Sequence, residues 1–249
     1  EWNDDFSSPR NLSFEKASCD FIFWLDADDV VINPEALKLM IDRASDSFDI
    51  LNLKYNYAYD EYKNPVMVHW RERVIRNTPN VCRWVDRVHE HLLYDPQTVR
   101  CAHFEDTVIG HLRDSGAGNR ASSRNLHILE NWIKESGGYE SATERQLVYL
   151  GNERWVNNLI PEAIEAYTAY LSKSQWDEEK LQVHYKLATY YIETKQYGLA
   201  YNHATSALII NPAWIEPWLA LAQLQLNEGK YSNARVFLNS ADECTPPNT

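Results

Sequence analysis

Four cysteines, Cys19, Cys82, Cys101 and Cys244, are scattered through 249 residues without a C-x-x-C pair. That spacing suggests neither a zinc site nor a disulfide framework, and a reducing cytoplasm fits it best. Basic residues are also scarce, with 24 Lys and Arg against 36 Asp and Glu and a net charge of -12. A nucleic-acid partner needs a basic face to release counterions, and an anionic membrane surface asks for the same charge, so the balance argues against both. No apolar run approaches the roughly 18 residues of a spanning helix, and no signal peptide precedes the first expected strand. What the chain does have is a hydrophobic fraction of 44%, with 9 Trp and 15 Tyr, which excludes general disorder. Its length accommodates two modest domains.

The strongest local signal is Phe21-Ile22-Phe23-Trp24-Leu25-Asp26-Ala27-Asp28-Asp29. Five large hydrophobic residues without alternation predict a strand buried on both faces, of the kind found in mainly parallel sheets. The acids fall at its carboxyl end, where open α/β sheets bind ligands and where an Asp-x-Asp pair can hold a divalent cation against a diphosphate. The same residues also suit a solvated turn or a helix cap.

Upstream lies Trp2-Asn3-Asp4-Asp5-Phe6-Ser7-Ser8-Pro9-Arg10-Asn11, and downstream Val88-His89-Glu90. With the acid-ended strand, these segments resemble the family 2 glycosyltransferases of the GT-A fold, and in particular members that carry C-terminal tetratricopeptide repeats. The resemblance implies that residues 1–118 are the later part of an α/β GT-A-like domain whose amino-terminal nucleotide-binding half is missing. It further implies a metal-dependent, inverting transfer of a sugar from a nucleotide-diphospho-sugar, a UDP-sugar, to a glycan or protein acceptor.

The roles implied by the resemblance are specific. Asp28 coordinates the divalent metal, Mn²⁺ or Mg²⁺; Asp26 lies near the ribose or base; Asp29 positions metal water or caps a turn. His111 joins the metal and diphosphate, with His103 as its competitor, and an imidazole ligand favours manganese. Arg10 and Asn11 face the diphosphate, where a guanidinium can grip oxygens bidentately; pairing of Arg10 with Asp4 or Asp5 is the alternative. Glu90 is the candidate base for the acceptor hydroxyl, with Asp86 and Asp106 as alternatives. In an extended segment His89 and His91 point away from Glu90 and are acceptor candidates.

Around these motifs, Ser7 to Ser18 reads as a short helix, and Asn33-Pro34-Glu35 as the start of a helix running to about Arg43 with Leu37, Met40 and Ile41 inward. Asp49 to Tyr57 and Val66 to Ile75 predict a hairpin across a turn at Asp60 to Pro65. Tyr55, Tyr57 and Tyr59 would share one strand face, as half-buried packing or as an acceptor groove. Thr107 to His111 is β-like, and Ser115 to Asn119 is the best linker.

From Arg120 the pattern becomes helical, with Arg120 to Glu135 a bridging helix. Leu187, Ala188, Tyr197, Ala200, Ala207 and Pro212 recur 34 positions later as Leu221, Ala222, Tyr231, Ala234, Ala241 and Pro246. This is the tetratricopeptide period. Leu150, Gly151, Ala163 and Tyr167 mark a more divergent first copy, so residues 119–249 are expected to hold about three repeats. Such an array presents a groove for a protein partner. The chain could therefore also be a non-enzymatic tetratricopeptide-repeat interaction protein with a degenerate transferase remnant. A nucleotidyltransferase, which shares the fold and metal logic, fits the V-H-E and the repeats poorly.

Overall fold

The computed structural model describes residues 2–44, 46–79, 81–112 and 118–244. The chain divides into two compact units, residues 1–132 and 133–249. Most of the expected linker, residues 115–117, and the repeat position Pro246 lie outside the described residues.

The first unit opens with α1 (Ser7–Glu15), then β1 (Phe21–Phe23), β2 (Asp29–Ile32), α2 (Pro34–Ala44), β3 (Ile50–Tyr59), β4 (Pro65–Arg76), β5 (Arg83–Val85), β6 (His91–Leu93) and β7 (Cys101–His111). Five strands form one sheet in the order β1-β4-β3-β7-β2, and β5 pairs with β6 in a separate ribbon. The expected hairpin is present as β3 and β4. The expected buried parallel strand is not. β1 is three residues long, partly exposed, and lies at the sheet edge, antiparallel to β4. Only β3 and β7 run parallel among the described pairs. At Trp24 the backbone N–H still donates to the Arg73 carbonyl at 3.2 Å, while the indole donates to the Glu72 carbonyl at 2.6 Å and packs edge-on against Trp84. A hydrophobic run thus ends in a turn rather than continuing as strand, and no GT-A assignment follows from this sheet.

Two apolar clusters hold the unit. Met40 and Ala44 of α2 pack with Leu51, Leu53, Tyr55, Val74 and Ile109, joined by the partly buried Leu37 and Ile41 as the helical spacing predicts. Trp24, Ile50, Ile75, Trp84 and Leu92 form the second cluster, against which Phe14 of α1 packs. Asn33 does not take the extended conformation of a helix cap; its φ of 60° puts it in the left-handed region. Tyr55 belongs to the first core cluster and Tyr57 packs against it, so these two tyrosines are packing residues.

The chain continues through α3 (Gly118–Glu135), within which the two units divide. The second unit then holds α4 (Glu144–Val156), α5 (Ile160–Lys173), α6 (Asp177–Glu193), α7 (Tyr197–Ile210), α8 (Ile215–Asn227) and α9 (Tyr231–Asp242). α4 starts with a complete capping box, in which Thr143 and Gln146 satisfy each other's backbone N–H groups. The residues that repeat at 34 positions are the interior of these helix pairs: Leu187, Ala188, Ala200 and Ala207, and their counterparts Leu221, Ala222, Ala234 and Ala241, are all buried. Small side chains let the paired helices approach closely, and the leucines fill the space between pairs. Leu150, Ala163 and Tyr167 play the same part in the first pair. Tyr185 meets Trp214 edge-on with ring centroids 5.2 Å apart, and Trp218 donates to the Pro212 carbonyl at 2.8 Å, so both contacts serve packing. Among the described residues no helix is long and apolar enough to cross a membrane.

Candidate functional site

In the first unit the acidic turn is organised by an arginine that the sequence did not single out. The β3–β4 register skips at Arg73, which has no partner between Val74 and Glu72. Such a bulge re-aims a side chain. Arg73 here turns inward to meet Asp29, the first residue of β2, at 2.9 Å, with side-chain exposures of 1% and 0%. Its guanidinium lies 4.0 Å from the Trp24 ring centroid and 4.5 Å from that of Tyr55. The Asp29 carboxylate also accepts from Tyr55 Oη at 2.9 Å and from the Asp26 backbone N–H at 3.1 Å. Burial, and then the bond to Asp29, pushes the Tyr55 phenol up.

β2 pairs with β7 so that Asp29 faces His111. His111 Nδ1 lies 3.3 Å from Asp29 Oδ1 and 3.8 Å from Asp28 Oδ1, while its ring stacks on Tyr57. Asp28, Asp29 and His111 therefore each offer one ligand atom within 4.8 Å of the others. Asp29 already serves Arg73, Tyr55 and the Asp26 N–H, so it is the most heavily engaged of the three. Asp28 is exposed and His111 is largely buried, so the two metal ligands expected from the sequence do lie together at this turn. His103 instead packs edge-on against Trp70, and Asp106 pairs with Arg43 at 2.7 Å.

Arg10, Asp26 and Glu90 do come together. From α1, Arg10 donates to Asp26 through Nη2 and to Glu90 through Nε, both at 2.7 Å, and lies over the rings of Trp24 and Trp84. It pairs with neither Asp4 nor Asp5; Asp5 instead caps the start of α1 through the backbone N–H groups of Ser7 and Ser8. Asn11 is held against the Trp84 backbone by two 2.9 Å hydrogen bonds, one given and one received, which pins α1 to β5. The Val88-His89-Glu90 segment is not extended: His89 has φ 56° and Asp86 φ 72°. That corrects the alternation expected for His89 and His91; His91 Nδ1 lies 3.1 Å from Asp86 Oδ2. Two ion pairs from Arg10, to Asp26 and to Glu90, tie the three segments of this constellation together.

The second unit is built differently. Between α4 and α6 runs a trench of about 460 Å³, lined by Val148 and Asn152 on one side and by Glu179, Gln182, Tyr185, Lys186 and Thr189 on the other. Sequence reasoning missed it, because Asn and Lys on a polar helix read as solvated.

On α6 and α7, His184 and His203 bring their Nδ1 atoms to 2.9 Å, and Tyr191 stacks on His203. Burial, then His203 and Lys180, lowers the His184 pKa to about 4. A base held neutral by the fold stabilises it fully above its ordinary pKa, and that contribution is lost as pH falls from about 6.5 towards 4. Replacing His184 with Gln is therefore expected to flatten the dependence of the melting temperature on pH between 7 and 5, followed by helical circular dichroism. Equal slopes in the two proteins would place the pH sensitivity elsewhere.

Comparison with known proteins bears on the second unit. The family model ChAPs (Chs5p-Arf1p-binding proteins) matches residues 123–245, just under half of the chain. The crystal structure of MamA is similar to it at 15% identity and a TM-score of 0.43, covering 49% of this chain and 67% of that one. A second solved structure, MamA MSR-1 C2, gives 17% identity, a TM-score of 0.39, and coverage of 51% and 69%. No curated protein matches the chain. These findings correct the expectation of a family 2 glycosyltransferase of GT-A fold. The family model that matches is the ChAPs one, over the helical part of the chain, and it is not a transferase model.

Proposed function

We propose that the chain is a protein-interaction module whose helical unit holds a peptide segment of a partner in the trench between α4 and α6. The observation that carries this reading is the trench itself, a polar and aromatic recess on the first helices of two successive helix pairs. Stacked helix pairs bury one face against each other and leave an extended surface on which partners dock. The ChAPs description supports the same reading, since those proteins are described as binding Chs5p and Arf1p.

The test is capture of a partner by the full chain, its identification, and calorimetry with the purified pair. Gln182, exposed on the trench wall, is the residue to block. Gln182→Trp is expected to weaken binding about tenfold or more, while Asn202→Ala, at an exposed position of α7, leaves it unchanged. Binding indifferent to Gln182→Trp would overturn the trench as the interaction surface.

A further inference from the structure

The hairpin of β3 and β4 carries an open strand edge. β4 has β3 along one side, but on its other side β1 reaches only Val74, Ile75 and Arg76. The Trp24 N–H adds one bond, to the Arg73 carbonyl, and no other described strand runs along that side. From Pro65 to Glu72 the outer edge of β4 therefore presents backbone N–H and C=O groups with no strand beside them, which is a template for pairing with another chain. Natural edges are commonly blunted by charged residues or by proline within the strand. Here Pro65 is only the first residue, and Val66-Met67-Val68-His69-Trp70 contains no Lys, Arg, Asp or Glu. All of these residues are exposed, Val66 at 65% and Met67 and Val68 each at 46%. The segment spans roughly 20 Å.

The two ends of this segment carry opposite charges that the chain itself does not pair. At the hairpin tip Glu61 is exposed, and no cation pairs with it among the described residues. Its neighbour Asp60 is spent within the turn, accepting from Tyr62 and Asn64. At the other end Arg71 is half-buried with no carboxylate paired to it among the described residues, and its Nε is out of solvent without an acceptor. Residues 61 and 71 are centred on Val66. A copy of the same hairpin laid antiparallel on this edge therefore brings its Glu61 towards Arg71 and its Arg71 towards Glu61, with apolar residues meeting apolar residues in the middle. The pairing of β1 begins at Val74, so the tip of the copy stops short of it.

We propose that the free edge of β4 is a self-association surface on which two copies of this chain pair antiparallel around the Val66 to Val68 stretch, with Glu61 and Arg71 meeting across the interface at both ends. The occupant is a second copy because the charge order fits it twice. A foreign strand would have to supply an anion for Arg71 and a cation for Glu61 on either side of an uncharged centre, and the hairpin already has that order. A two-fold arrangement is isologous, so one apolar patch with complementary ends closes on itself and leaves no open edge between the copies. The inference does not depend on the trench of the helical unit, since all of its residues belong to the first unit.

The experiment is sedimentation equilibrium of the full chain over about a hundredfold range of concentration, with hydrogen exchange of the Val66–Trp70 amides measured at both ends of the range. The expected result is a monomer–dimer equilibrium in which those amides become protected as the dimer forms. Val68→Lys, which sets two like charges close to the two-fold axis, should weaken dimerisation about tenfold or more. Glu61→Arg alone and Arg71→Glu alone should each weaken it as well, because like charges then meet at both ends. An equimolar mixture of those two variants should dimerise as the parent does, since every tip again faces an opposite charge. Circular dichroism checks the fold of each variant, and the exposed Val68 and Glu61 keep the test decisive if Arg71→Glu does not fold. A parent that stays monomeric throughout overturns the proposal and leaves the edge to a strand of another protein. A dimer indifferent to Val68→Lys and Glu61→Arg, or a mixture of the two folded charge variants that fails to recover, places the interface elsewhere and overturns it too. Protection of the Val66–Trp70 amides that does not change with concentration would show the edge to be covered within one chain, with the same consequence.

Discussion

Replacing Asp29 with Ala is expected to cost the first unit about 3–5 kcal/mol, a large part of the stability of a domain of this size. Asp29 and Arg73 are both out of solvent, and Nε and Nη1 of Arg73 already lack hydrogen-bond acceptors among the described residues. Their ion pair is weak evidence for net stabilisation, since an apolar pair of similar volume is often as good. Removing one partner is another matter, because it leaves a buried guanidinium with no counter-charge. Tyr55 Oη and the Asp26 N–H lose their acceptor in the same step. The measurement is urea unfolding followed by tryptophan fluorescence, to which Trp24, 4.0 Å from the guanidinium, reports directly. The double variant Asp29→Ala/Arg73→Met should recover much of the loss, because both charges are then gone. A single variant within about 1 kcal/mol of the parent would show that water reaches Arg73 and that the bulge does not bury it.

The same pair explains what the sequence could and could not convey about the first unit. Asp29 sits beside Asp28 in a run of acids, and nothing local distinguishes the exposed one from the buried one. The distinction is made by Arg73, 44 residues away, through a register skip that no periodicity announces. The Phe21 to Leu25 run misled for a related reason. Its hydrophobic residues are partly exposed in a short edge strand, or, in Trp24, spent on a ring contact and a backbone bond outside the ladder. Glu90 and Arg10 both stand out in the sequence, but that they pair with each other, across 80 positions, is not legible there. Sheet topology depends on pairings far apart in sequence, and motif resemblance does not substitute for them.

The helical unit was far more legible, because its determinants are local. A 34-residue repeat of small and leucine positions states which faces approach, and the buried residues are those positions. Even here the single-residue chemistry was hidden. Lys186 is one residue before the repeating Leu187, and only the neighbouring pair's Asn152 and Tyr167 turn it from a solvated lysine into a half-buried one.

Tyr167 itself depends on the one glycine that the first helix pair cannot replace. At Gly151 of α4, a Cβ would lie 2.4 Å from Cε1 and 2.5 Å from Cδ1 of the Tyr167 ring. The ring cannot retreat, because it is fully buried and its hydroxyl is held by Asn152 and Lys186. Alanine would return about 1 kcal/mol of helix propensity relative to glycine, which partly masks the clash, so the informative substitution is Gly151→Val. Valine is a poorer helix former and adds three heavy atoms where the first already overlaps; a loss of about 3 kcal/mol, the upper part of the overpacking range, is expected in urea unfolding of the helices. Tyr167→Ala alone should cost about 3–5 kcal/mol through the cavity it leaves. Combined, the two changes should cost clearly less than their sum, since the valine fills part of the space the ring vacates. Strict additivity of the two substitutions would mean that Gly151 and Tyr167 do not press on each other, and that the approach of α4 to α5 is set by other side chains.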